Sequence, residues 1–125
     1  MIFDTDVLIW IQRGNQKAAK LVNDEPKRFI SVLTYMELLQ GVENKQQQRY
    51  SIDFLKQLNF LTLPLTENIG HRAAIYIEQY ALSHGLRVGD AIIAATSAEN
   101  GLELCSSNEK HFGPIAGLRL SIFKP

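Results

Sequence analysis

Apolar positions along this 125-residue chain change period several times. Short continuous runs alternate with stretches in which apolar residues recur every three or four positions, so strands alternate with helices. Met1 to Phe3 is an apolar run, followed by Asp4-Thr5-Asp6 and then by Val7 to Ile11. That order predicts strand, polar turn and short helix. Asn15 to Asp24 carries Ala18, Ala19, Leu21 and Val22 and stops before Pro26, as a helix must when the next residues cannot continue it. A second strand is predicted at Phe29 to Leu33, a helix from Thr34 to about Val42, another helix over Lys45 to Leu58, and a third strand at Asn59 to Leu63.

From Thr66, the residues Ile69, Ala73, Tyr76, Ile77, Tyr80 and Ala81 recur at helical spacing until Gly85 supplies a stop. A small-residue helix follows, opened by Asp90 and continued by Ala91-Ile92-Ile93-Ala94-Ala95, able to lie close to a sheet and ending at Asn100-Gly101. Leu102 to Cys105 and Leu118 to Phe123 complete the strands. Strands separated by helices predict a parallel sheet covered on both faces, because each parallel neighbour requires a crossover connection. The expected architecture is one α/β domain over residues 1–125, in three layers around a central parallel sheet.

Composition agrees with a folded chain: 46% apolar and 21% charged residues lie far from the disordered regime. No apolar run approaches the roughly 20 residues that span a bilayer, and the N-terminus lacks a basic leader, so no membrane contact and a cytoplasmic location are expected. Cys105 is single, hence without an internal disulfide partner, and its apolar neighbours mark it as a small buried hydrophobe and not a nucleophile. Thirteen basic and thirteen acidic side chains cancel, which removes the global positive field typical of proteins that grip nucleic acid by its phosphates. Lys17, Lys20, Lys27 and Arg28 offer part of a local basic patch, or simply a solvated helix face.

Three carboxylates carry the chemistry. In open parallel sheets ligands gather beyond the carboxyl ends of the strands. Asp4 ends the first strand, Glu37 lies in the first turn after the second, and Asp90 begins the helix that leads to the fourth, so all three point to one edge. Carboxylates gathered together repel unless a divalent cation neutralises them, and oxygen-only ligands suit Mg2+ or Mn2+. Zinc would call for histidine or cysteine at ligand spacing, which His71, His84 and His111 do not provide. Each acid also has a purely structural explanation. Asp4 or Asp6 can cap the helix near Val7, Asp90 can cap the helix at Ala91, and Thr34-Tyr35-Met36-Glu37 matches a capping box.

Four motifs in order resemble the PIN-domain family, and in particular the VapC-type toxins of toxin–antitoxin pairs. They are Ile2-Phe3-Asp4-Thr5-Asp6-Val7-Leu8-Ile9, the strand and helix Ile30 to Gly41 containing Thr34 and Glu37-Leu38, Asp90-Ala91-Ile92-Ile93-Ala94-Ala95-Thr96, and Ser106-Ser107-Asn108 followed by Phe112. The resemblance implies a PIN-like fold and an endoribonuclease in which Asp4, Glu37 and Asp90 bind one or two Mg2+ or Mn2+ ions that activate a water. Asp6 stands where asparagine is common, adding charge beside the site. Asn108 stands where many relatives have a fourth carboxylate, which makes it an auxiliary ligand and weakens a second metal site. Thr5 orients a carboxylate or caps a helix, and Thr34 is read as a cap. The implied partners are an RNA substrate, a cognate antitoxin and a second copy of the chain in a homodimer.

Two other functions fit less of the chain. A haloacid dehalogenase type phosphatase also opens with Asp-x-Asp after a strand, which Asp4-Thr5-Asp6 matches, but its later paired acids fail where Ala94 follows Gly89-Asp90. A catalytically weak PIN-like binding partner would keep the fold, and the neutral charge and Asn108 are compatible with it.

Overall fold

The computed structural model describes residues 1–125. Its elements run β1 (Ile2–Phe3), α1 (Thr5–Gln12), α2 (Gln16–Asp24), β2 (Arg28–Ser31), α3 (Val32–Gln40), α4 (Lys45–Gln57), β3 (Phe60–Leu63), α5 (Glu67–His84), α6 (Val88–Glu99), β4 (Leu104–Ser106), α7 (Glu109–Phe112) and β5 (Leu120–Ile122). The five strands are all parallel, in the order β3-β2-β1-β4-β5. The predicted α/β sandwich of helices around a parallel sheet is what forms.

The pleat explains the layers. Successive strand residues face opposite sides, so Ile2 joins Ile69, Ala73, Tyr76 and Ala94 beneath α5 and α6. Phe3 joins Val7, Ala18 and Val22 beneath α1 and α2. Their register partners on β4 divide the same way: Leu104, opposite Ile2, enters the first cluster and Cys105, opposite Phe3, the second. Leu8, Ile30, Leu38 and Leu55 close a third cluster that ties α3 and α4 to α1 and β2. Ala91, Ala94 and Ala95 are fully buried, so α6 does use its small residues for close approach.

The predicted α5 stands nearly as read, capped by the Thr66 side chain and stopped by Gly85 at φ 69. Other boundaries move. β2 ends at Ser31 instead of Leu33, because Ser31 Oγ accepts the Leu33 N–H at 2.9 Å and starts α3 early. Thr34 is therefore not a cap, and no capping box links it to Glu37. α6 begins at Val88 and not Ala91, which makes Asp90 its third residue, reaching back to accept the Arg87 N–H at 3.4 Å. The fourth strand is Leu104–Ser106 instead of Leu102–Cys105, and the short α7 goes unread in the sequence because its four residues carry no periodicity.

From β1 the chain builds outward through β2 and β3, then returns to place β4 and β5 on the other side of β1. Connections leave β1 and β4 in opposite directions, so a crevice opens at their carboxyl ends. Asp4 and Ser106 stand there.

Candidate active site

Asp4 is fixed first by its backbone: its N–H donates to the Cys105 carbonyl at 2.9 Å, extending the β1–β4 pairing by one residue. Its side chain is 6% exposed. Oδ1 accepts the Thr5 N–H at 2.8 Å and Oδ2 accepts the Ser106 hydroxyl at 2.7 Å. Asp4 thus caps α1 while its carboxylate lies in the crevice, so cap and site coincide. Burial, then the negative charge of Asp6, push its pKa up to about 7, with Asp90 adding to the rise and the bonds from Ser106 and Thr5 opposing it. Burial and the neighbouring acids both disfavour the charged form.

Asp6 is held in the first turn of α1. Its Oδ2 accepts the Ser107 N–H at 3.0 Å and the Ser107 hydroxyl as well. Its Oδ1 is buried without any partner. A carboxylate oxygen left that way is costly unless something positive meets it.

Glu37 comes from the exposed side of α3, and its Oε1 accepts from Thr5 Oγ1 at 2.7 Å. Thr34 Oγ1 lies 3.0 Å from the same Thr5 oxygen and is completely buried. A hydroxyl has one proton to give, so the consistent assignment runs from Thr34 to Thr5 to Glu37. Thr5 and Thr34 therefore form a relay that orients Glu37. Gly89 allows α6 to approach: a Cβ there would meet Leu33 Cδ2 at 3.3 Å and Glu37 Oε2 at 3.6 Å.

Asp90 is 19% exposed in its side chain, and its Oδ2 also lies 3.1 Å from His111 Nδ1. Asn108 N-caps α7, its Oδ1 accepting the His111 N–H at 3.3 Å, while its Nδ2 lies 3.0 Å from His111 Nδ1. Asn108 thus stands beside Asp90's partner.

The fold brings Asp4, Asp6, Glu37, Asp90 and Asn108 to one end of the sheet, yet no three Asp, Glu, His or Cys side chains are arranged to hold a metal ion as they stand. Each carboxylate accepts from at least one hydroxyl, amide or ring donor. Gathering them would require a cation to offset their repulsion. The donor set fits such an ion, being all oxygen, with one acid's pKa raised by burial and by its acidic neighbours and one buried carboxylate oxygen unpaired.

Ser106, Ser107 and His111 lie within the fourth motif, which gives them no role, yet each contacts an acid of the site. The serines stood in the fourth motif before Asn108, but nothing local says which acids they meet. The proposed basic patch loses two members. Arg28 spends its guanidinium on the carbonyls of Asn23, Glu25 and Leu58, and Lys20 pairs with Asp24 at 2.7 Å. Cys105 is buried, and desolvation pushes its thiol up to about 12, consistent with an inert core residue.

With this geometry in place, known proteins give the kinship. The PIN domain family matches residues 1–118. Ribonuclease VapC1 of Rickettsia felis is 31% identical over 127 residues, covering 96% of this chain and 93% of that protein. Ribonuclease VapC10 of Mycobacterium tuberculosis is 32% identical over 116 residues, covering 90% and 85%. Among solved structures, a toxin–antitoxin complex from Klebsiella pneumoniae superposes with a TM-score of 0.79 at 29% identity, over 94% of this chain and 93% of that one. An acidic crevice at the turning point of a parallel sheet, and a match that runs from the first strand to the last loop, place this chain in the PIN-domain family.

Proposed function

We propose that this chain is an Mg2+- or Mn2+-dependent endoribonuclease and the toxin of a type II toxin–antitoxin pair, acting on RNA in the cytoplasm. The observation that carries the reading is Asp4: a nearly buried acid pushed up to about 7 by burial and by other acids, at the crevice between β1 and β4. Such a group is costly for stability alone and useful for holding a cation. Relatives named as ribonucleases and a related toxin–antitoxin complex support the substrate and the partner.

Asp4, Glu37 and Asp90 would hold the cation, with Asn108 as an auxiliary ligand and Asp6 adding charge. When bound, such an ion polarises a phosphate and lowers the pKa of a water. The chain's own work is positional. Ser106 and the Thr5 amide fix Asp4, the Thr34–Thr5 relay fixes Glu37, and the amide of Arg87, just before α6, steadies Asp90. No helix is long and apolar enough to cross a membrane. The groove between α5 and α6, where Leu65 and Val88 are exposed beside Ile77 and Ile92, is an apolar surface outside the acidic crevice.

Induced expression tests the toxin role. Wild type should arrest growth, Asp4→Asn should not, and the product of an adjacent reading frame should relieve the arrest by covering the acidic crevice with a basic side chain. A harmless wild type under strong induction in its native host would remove the toxin role. A catalytically weak binding partner is the second reading, favoured by the absence of a ready metal cage. It requires that Mn2+ fail to bind.

A further inference from the structure

We propose that His111 is a positioning residue for Asp90: its Nδ1–H holds Oδ2 and leaves Oδ1 as the oxygen presented to a divalent cation. This rests on the metal-dependent reading above.

The geometry sets up a choice at one atom. His111 Nδ1 lies 3.1 Å from Asp90 Oδ2 and 3.0 Å from Asn108 Nδ2. A carboxylate only accepts and an amide NH2 only donates, so the first contact needs a proton on Nδ1 and the second needs a lone pair. Both cannot hold together. The bond to the carboxylate is charge-assisted and roughly twice as strong as a neutral one, which selects Nδ1–H and the Asp90 contact. Asn108 still fixes the ring through its other end, because its Oδ1 accepts the His111 N–H at 3.3 Å.

The imidazole is fixed through α7 and faces the corner after α5. Fully buried Phe112 pins α7 beside it, Asn108 caps α7 beneath it, and Nε2 lies 3.9 Å from where a Cβ on Gly85 would stand, at the corner between α5 and α6. His111 is 22% exposed in its side chain, so water competes weakly for the bond. Asp90 Oδ2 also accepts the Arg87 N–H at 3.4 Å. Both observed donors therefore converge on the same oxygen. Oδ1 has no bond of its own, and Asp90 is near enough to Asp4 to raise its pKa. A donor set concentrated on one oxygen orients the other, as outer-shell partners do for metal-ligating carboxylates.

The test combines Mn2+ titration calorimetry with 15N NMR of the imidazole in the metal-free protein. His111→Leu should weaken Mn2+ binding by roughly 10- to 100-fold, and His111→Asn, which keeps an N–H near the Nδ1 position, should recover most of the loss. A structural role alone would lower the melting midpoint of both variants without this split. In wild type at mildly alkaline pH the ring proton should sit on Nδ1, and Asp90→Ala should move it to Nε2, freeing Nδ1 to accept from Asn108. A wild-type proton on Nε2, or unchanged Mn2+ affinity in folded His111→Leu, overturns the inference while leaving the ribonuclease reading intact. If His111→Leu does not fold, the NMR result decides. No Mn2+ binding by wild type would overturn both.

Discussion

A buried acid with a raised pKa makes stability depend on pH in a definite direction. Asp4 titrates near 3.8 when unperturbed and near 7 in the folded chain, so between those values the folded state binds more protons than the unfolded one. Its contribution to stability is therefore greatest below about pH 4, falls as pH rises to about 7, and stays low above it. Melting midpoints of the metal-free protein check this. Wild type and Asp4→Asn should coincide near pH 4 and separate by pH 8, with the variant higher. Asparagine can still accept from the Thr5 amide and donate to Ser106, so the comparison isolates charge. Thr5 offers a second test at the same scale. Thr5→Val removes the hydroxyl that reaches Glu37 and should lower RNA cleavage by about 10-fold or more, with Thr5→Ser close to wild type. The acids themselves stood out in the sequence, because Asp4 follows an apolar strand, Glu37 closely trails one, and Asp90 opens a small-residue helix. Their partners did not. Ser106 is 102 positions from Asp4 and Ser107 is 101 from Asp6, and no local pattern encodes such pairings.

Elements were read well where periodicity was long and poorly where a cap decided the boundary. The apolar spacing of α5 and the glycine after it were sufficient. At α3 two hydroxyl residues competed for the cap, and Ser31, the last residue of β2, took it first, which released Thr34 for the relay to Glu37. The same early start at α6 turned Asp90 from a cap into a third-position residue whose carboxylate reaches back to the helix start. Gly85→Ala places a Cβ at φ 69 and should cost about 1 kcal/mol in thermal or urea unfolding. Ala94→Leu should cost more, about 1–3 kcal/mol, because that side chain is fully buried where α6 meets the sheet.

For the whole molecule, strand order converts scattered motifs into a site. Parallel strands separated by helices implied a covered sheet, but not the order β3-β2-β1-β4-β5 that puts the crevice beside Asp4. Nor did the sequence show how a neutral chain would meet a polyanion, since Arg28 and Lys20 are engaged within the fold. In this account a divalent cation bound by the acids supplies the missing positive charge, and the same ion relieves their repulsion. The direct measurement is cleavage of purified RNA by wild type, Asp4→Asn and Asp90→Asn, each with Mg2+, with Mn2+ and with excess chelator. Wild type should cut with either metal and stop with chelator, and both variants should lose activity by orders of magnitude while remaining folded. Undiminished cutting in chelator, or full activity in either variant, would contradict the assignment of these acids to a metal-dependent ribonuclease site.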